Sequence, residues 1–197
     1  MTEKLNAIRL DIPSELIGER IVLRAFRDED AQHLWNAVDT SREHLKRWMP
    51  WVNEHNNLDF SRDYVRRIQA KWILREDMPM GIWRKGDNHL LGATGLHRID
   101  WTIPTMEIGY WLRADAEGNG YTTEAVALIT AFAFKHLLAE RVTIVCDRKN
   151  LRSAGVPPRA GFTHEATMRS ERRNTNGELS DTELFAMTRA DFDAQHG

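Results

Sequence analysis

The stretch MEIGYWLRADAEGNGYTTEA, Met106 to Ala125, holds the residue types and spacing best suited to binding a phosphorylated ligand. A strand is predicted to end at Arg113, a short loop carries Gly118-Asn119-Gly120, and a helix follows at once. Glycines at such a junction let the backbone turn sharply and gather several N–H groups around one point. Those donors would lie at a helix N-terminus, where unsatisfied N–H groups and the helix dipole favour an anion, phosphate above all. Two glycines before a helix also describe an ordinary loop. A dinucleotide site of the G-x-G-x-x-G kind would need a third glycine where Thr123 stands, and a P-loop would need Gly-Lys-Ser/Thr, which the sequence lacks. Cys146, the one cysteine, invites a nucleophile reading. It ends a short apolar strand with no histidine beside it, however, which suits a small buried hydrophobe better.

The elements that must position this segment follow from periodicity. Arg20 to Phe26 alternates and predicts a first strand; Asp28 then caps a helix through Leu34 and Val38. A short helix starts at Ser41 and stops at Pro50. Phe60, Tyr64, Ile68 and Trp72 recur every four positions and predict a long amphipathic helix over 58–74. Strands are expected at 80–84, 89–98 and 106–113, the first two joined by a turn at Gly86-Asp87-Asn88. A helix over 125–138, a buried strand at 142–146, a helix after Asn150 and strands at 162–168 and 182–188 complete the chain. This order predicts an α/β (α+β) fold: a mixed, mostly antiparallel central sheet of about seven strands with helices on both faces. Trp35 and Trp72, at helical spacing, are assigned to the core by default, whereas Trp48 and Trp51, beside Met49 and Pro50, are candidates for an acceptor groove.

Composition narrows the function classes. The 197 residues fit one compact domain, and 42% hydrophobic with 28% charged residues is the balance of a soluble globular chain. A formal charge of −2 supplies no bulk attraction to nucleic acid or membrane, and the basic run Arg169 to Arg173 reads as a solvated face. One cysteine excludes an intramolecular disulfide, and eight scattered histidines give no ligand spacing, so no metal is expected. Met1 to Asp11 lacks a hydrophobic signal core, and no apolar run nears the ~20 residues of a membrane span, which points to the cytoplasm.

Glu107-Ile108-Gly109-Tyr110-Trp111-Leu112, followed by Gly118-Asn119-Gly120-Tyr121-Thr122-Thr123-Glu124-Ala125, resembles the acetyl-CoA-binding core of the GNAT N-acetyltransferases. Asn150-Leu151-Arg152-Ser153 with Ala160-Gly161-Phe162 is similar to that family's Asn-x-x-Ser…Gly-Phe segment. Leu45 to Val52, LKRWMPWV, looks like the Trp-x-Pro-Trp stretch of the RimJ/RimL-type branch, which acetylates N-termini of ribosomal proteins. The matches span about Ile17 to Thr188 in the family's order, as in a single GNAT domain over 1–197.

The resemblance implies a division of labour. The pyrophosphate of acetyl-CoA would sit on the N–H groups of Gly118, Asn119, Gly120, Tyr121, Thr122 and Thr123, with both threonine hydroxyls as extra donors. The strand ending in Trp111, Leu112 and Arg113 would splay from the strand at Thr143 to Cys146, freeing backbone groups for pantetheine. Asn150 would bind pantetheine by its amide, and Ser153 would protonate the leaving thiolate. The amine acceptor, a protein N-terminus (pKa about 8) or a lysine-like amine (about 10.4), must shed a proton to attack. Glu107 would accept it, through water, while the N–H near Leu112 polarises the thioester for direct transfer in a ternary complex. The alternative for Glu107 is a strand carboxylate paired with Arg98, and for Ser153 a helix cap. Asp115 is an unexpected acid beside a phosphate loop, and Gly155, Pro157 and Pro158 would shorten the helix that carries Ser153. Small amines (aminoglycoside, polyamine, toxin) or acyl-CoA sensing without turnover are the alternatives, and a homodimer is implied because dimers are common in this branch.

Overall fold

The computed structural model describes residues 6–197; residues 1–5, the start of the segment read as having no signal core, lie outside the described residues. The strands are β1 (Glu15–Ile17), β2 (Ile21–Ala25), β3 (Met78–Arg84), β4 (Leu90–Asp100), β5 (Thr105–Leu112), β6 (Arg141–Asp147), β7 (Thr163–Arg173) and β8 (Leu179–Thr188). They form one sheet in the order β1-β2-β3-β4-β5-β6-β8-β7. The helices are α1 (Ala31–Thr40), α2 (Arg42–Leu45), α3 (Leu58–Leu74), α4 (Tyr121–His136), α5 (Leu151–Ala154), α6 (Val156–Arg159) and α7 (Arg189–His196). The sheet has eight strands where about seven were expected. The extra one is β1, three residues with an exposed-intermediate-exposed pattern, too short for alternation to reveal. It folds back on β2 through a turn in which Gly18 N–H donates to the Ile21 carbonyl at 2.9 Å.

Alternating side chains divide the sheet between two cores. Met78, Met80 and Ile82 of β3, Met106 and Ile108 of β5, and Val142 and Ile144 of β6 pack on Val126, Ile129 and Phe132 of α4. Trp83, Leu90 and Ala93 face the other way, onto Leu34 and Val38 of α1 and Val65 and Ile68 of α3. Trp35 and Trp72, expected in the core, are only half-buried, Trp72 stacking on Phe132 at 6.5 Å. Asn57 caps α3 by accepting from the Phe60 N–H at 2.8 Å. After Asn150 the chain makes two four-residue turns of helix rather than one, because Pro157 and Pro158 lack the N–H groups a continuous helix needs.

One feature of the pairing shapes the site. β5 and β6 are the parallel neighbours of the sheet, paired at Thr105↔Arg141, Met106↔Val142, Glu107↔Thr143 and Ile108↔Ile144, and pairing ends there. β5 stays with β4 as far as Leu112, and β6 stays with β8 as far as Asp147. The two strands therefore part while each is held from its outer side.

The wall of α1 is anchored by a buried ion pair. Asp30, at the start of α1, accepts from Arg24 of β2 at 2.6 and 2.9 Å and from the Arg27 N–H at 2.7 Å. The Arg24 guanidinium also lies 4.0 Å from the Trp83 ring centroid. Both side chains are almost wholly buried, so removing one partner strands the other's charge in the interior. Asp30→Ala is expected to destabilise the protein by about 3–5 kcal/mol, read from denaturant unfolding; a loss under ~1 kcal/mol, the worth of a surface pair, would refute that weight.

Candidate active site

The gap between β5 and β6 exposes backbone. Arg113 N–H donates to the Leu91 carbonyl at 2.8 Å, toward β4. N–H groups alternate sides along a strand, so those of Tyr110 and Leu112 point away from β4, into the gap. Of the residues expected to bind the cofactor, Trp111 lines the cavity described below; Leu112 and Arg113 carry the strand on to the glycine loop.

At the wide end of the gap, Gly118 and Gly120 adopt φ of 78° and 79°, a left-handed conformation that costs glycine little. Gly120 caps α4, and the first i→i−4 bond of that helix is Glu124 N–H to Gly120 carbonyl, at 3.1 Å. The N–H groups of Tyr121, Thr122 and Thr123 are thus left over at the helix start. A Cβ on Gly118 would meet nothing within 4 Å, so the approach to the loop is open. Arg20, which sequence reasoning missed, reaches over from the start of β2. It donates to the Asn119 carbonyl at 2.7 Å and pairs with Glu124 at 2.9 Å, placing a cation beside the loop. Asp115 does not oppose an anion there, because Arg113 grips it with bonds of 2.8 and 2.7 Å. That bond holds the Asp115 carboxyl below its ordinary value.

The narrow end opens into a cavity of about 560 Å³ on the α1–α3 side. Glu107, Trp111, Asn150, Ser153, Trp48 and Trp51 all line it, so the expected catalytic, pantetheine and acceptor residues converge; the 118–123 loop lies outside it, farther along the gap. Trp51 packs on Trp111 with ring centroids 5.9 Å apart and on His55 at the same distance. Burial, and behind it the charge of Arg42, pushes His55 down to about 4, so it is a neutral wall residue bonded to Ser61 Oγ at 2.5 Å.

Two proton acceptors face this space. Glu107 Oε2 lies 3.1 Å from Arg98 Nη1, the pairing the sequence left open; Arg98 is 76% exposed and Glu107 19%. The second is His97, directly across from Glu107 in the β4–β5 register, which sequence reasoning also missed. Its Nδ1 is 2.6 Å from Asp77 Oδ1 and donates to that carboxylate, which orients the ring with Nε2 as the nitrogen not bonded to Asp77. The ring fits because residues 95 and 109 are glycines: a Cβ there would lie 2.9 or 3.1 Å from Nε2. No sequence spacing announces the pair, since Asp77 and His97 are twenty positions apart, Asp77 just before β3 and His97 within β4.

Around the apex, Asn150 is itself the cap of α5: its Oδ1 accepts from the Ser153 N–H at 3.1 Å, leaving the amide Nδ2 as a donor. Ser153 does not cap; its Oγ donates to the Tyr110 hydroxyl at 3.2 Å, and that hydroxyl donates to the Ser153 carbonyl at 3.0 Å. Burial raises the Tyr110 phenol well above its ordinary value, so it stays protonated. Cys146 is buried beside them, its thiol pushed up to about 11, chiefly by burial. Among the described residues no group of three His, Cys, Asp or Glu side chains is gathered to hold a metal.

Residues 20–163 match the acetyltransferase (GNAT) domain. The ribosomal-protein-serine acetyltransferase of Escherichia coli is 33% identical over 173 residues, covering 86% of this chain and 93% of that protein. Among solved structures, RimL, a ribosomal L7/L12 α-N-protein acetyltransferase in complex with coenzyme A, superposes with a TM-score of 0.82 at 21% identity, over 90% of this chain and 97% of that one. Mycobacterium smegmatis RimJ, in complex with a CoA-disulfide, gives 0.81 at 20% identity over 98% of both chains.

The burial of Cys146 gives a direct test. With the thiol near 11, the thiolate is scarce at pH 8, and alkylation by iodoacetamide should run more than ~100-fold slower than for a free thiol of pKa about 8.5. The rate should climb as pH rises toward 11 and become fast in denaturant; rapid labelling of the native protein at pH 8 would contradict it.

Proposed function

The chain belongs to the GNAT acetyltransferase family, and on that footing we propose that it transfers acetyl from acetyl-CoA to the N-terminal α-amino group of a protein, by direct attack in a ternary complex. The observation that carries the reading is a continuity. The gap that opens after Ile108 and Ile144 and the aromatic cavity share Gly109, Tyr110, Trp111, Val145 and Cys146 as common wall. A thioester lying in the gap would meet an amine in the cavity at that wall. The relatives named for ribosomal-protein acetylation support the protein acceptor. The same reading places one GNAT domain across 1–197, working in the cytoplasm as the homodimer that the RimJ/RimL resemblance implies.

The residues present fit the co-substrate. The unpaired N–H groups at the start of α4, the open approach at Gly118 and the guanidinium of Arg20 suit a pyrophosphate, and the hydroxyls of Thr122 and Thr123 add donors. Tyr110 and Leu112 offer N–H and C=O groups to an extended amide chain much as a partner strand would, with Asn150 Nδ2 on the opposite side. The bound thioester supplies the acyl group and its leaving thiolate. The Leu112 N–H is the donor that polarises the thioester carbonyl. Ser153 Oγ, whose hydrogen points to Tyr110 in the structure, would turn that hydrogen to the sulfur as the C–S bond breaks and regain a proton from water, so the free thiol leaves and the serine is restored. Glu107 takes the proton from the acceptor amine, through water; Arg98 keeps that carboxylate in place from the solvent side.

Glu107→Gln is expected to lower kcat for a peptide acceptor by about 10²–10⁴-fold while acetyl-CoA binding persists, measured as CoA release with His97→Gln run in parallel. Full activity in the Glu107 variant with the same loss in the His97 variant would move the base to the Asp77–His97 pair. Turnover of polyamines or aminoglycosides and of no peptide would overturn the protein acceptor.

A further inference from the structure

The mouth of the cavity carries an uncompensated charge. Arg47, in the loop after α2, and Arg172 and Arg173, at the end of β7, line it. Several arginines elsewhere sit with carboxylates, Arg24 with Asp30, Arg113 with Asp115 and Arg148 with Asp181 and Glu183, but among the described residues only at this mouth do three unpaired ones line a cavity. The three at the mouth enter no ion pair among the described residues; Arg173 donates only to the Gly177 carbonyl, at 2.6 Å, and Arg47 packs 5.0 Å over the Trp48 ring. The carboxylates of the lining do not neutralise them. Glu107 is taken by Arg98, and Asp147 accepts from Ser180 Oγ at 2.6 Å and the Lys149 N–H at 2.8 Å.

This rim is built, not incidental. Thr175 Oγ1 donates to the Arg47 carbonyl at 3.0 Å, fastening the tip of the β7–β8 hairpin to the loop opposite. The tip is closed on itself, Asn174 Oδ1 accepting from the N–H groups of Asn176 at 2.9 Å and Glu178 at 3.0 Å. The backbone that carries Arg47 is thereby joined to the hairpin that carries Arg172 and Arg173, so arginines stand on both segments lining the opening, in a chain whose formal charge is −2. Arginine presents its donors as a planar fork matched to a carboxylate or phosphate, and stacking on Trp48 leaves the edge of Arg47 free.

Resting on the reading of the cavity as the acceptor site, we propose that the acceptor carries an anionic group close to the amine it presents, and that Arg47, Arg172 and Arg173 select it. For a protein N-terminus this means acidic residues directly after the first; a phosphate-bearing small amine would offer the same chemistry. Spermidine and aminoglycosides bring positive charge to a positive mouth and are disfavoured.

The test compares kcat/KM for three peptides that differ only at the second to fourth positions (Glu, Gln or Lys), with O-phosphoethanolamine and spermidine alongside. The acidic peptide should exceed the neutral one by at least ~10-fold, equivalent to about 1.4 kcal/mol, and the lysine peptide should be poorest. The advantage should shrink as salt is raised. Arg47→Gln combined with Arg172→Gln should bring the acidic-to-neutral ratio close to one, with an unaltered melting transition confirming the fold. Equal rates for all three peptides, or a double variant that keeps the preference, would overturn the proposal while leaving peptide acetylation standing. Turnover of phosphoethanolamine with no peptide would support the anionic selection and remove the protein acceptor. Turnover of spermidine alone would remove both.

Discussion

A parallel strand pair that stops pairing halfway is the constraint on which the rest of this molecule depends. Past Ile108 and Ile144, β5 and β6 no longer satisfy each other, yet neither can drift, because β4 and β8 hold their outer edges. Backbone donors and acceptors inside a fold that lack a partner cost roughly 1–3 kcal/mol each unless water or a ligand takes them. The gap therefore leaves donors and acceptors for water or for the extended amide chain of the proposed co-substrate. Close contact across β4 and β5 keeps the outer edge tight. Gly92 abuts the Trp111 carbonyl oxygen so closely that a side chain there could not be housed. Parallel pairing of β5 and β6 dictates the crossover: the chain leaves the end of β5, passes through the glycine loop into α4, and α4 returns it to the start of β6.

Charge is distributed to match the two ends. At the wide end the start of α4 favours an anion, while Arg20 and Asp115, the charged side chains beside it, are each held by a partner of opposite sign, Glu124 and Arg113. At the narrow end, the Glu107 carboxylate and the His97 ring stand on adjacent strands, and the Ser153 hydroxyl is hydrogen-bonded to the Tyr110 phenol in the same cavity. A basic group and an acidic one on opposite sides of one apex are what an acyl transfer between sulfur and nitrogen requires: one proton must leave the nucleophile and another must reach the leaving group.

Much of the frame was legible because it is local. The Gly118-Asn119-Gly120 junction, the four-residue spacing from Phe60 to Trp72 and the prolines at 157 and 158 each act within a few residues of themselves. They gave the loop, the long helix and the broken one. β1 escaped because three residues cannot display a period, and the half-burial of Trp72 escaped because spacing locates a helix face without saying how deeply it sinks. At the site, the residues carried by contiguous motifs were found. Those assembled across the sheet were not: Arg20 and Glu124 are 104 positions apart, and Asp77 meets His97 only through strand register. The basic run at 169–173 was legible as a sequence but read as a solvated face. Only folding of the hairpin onto Arg47 turns two of its arginines toward the cavity.

The central claim, that one guest occupies gap and helix start together, is tested most directly by residue-resolved amide hydrogen exchange with and without acetyl-CoA. The account predicts that Tyr110, Leu112 and the amides of 118–123 gain protection together, at one ligand concentration, while amides in the middle of α3 are unchanged. Protection confined to some other surface, with Tyr110 and Leu112 exchanging as before, would contradict it.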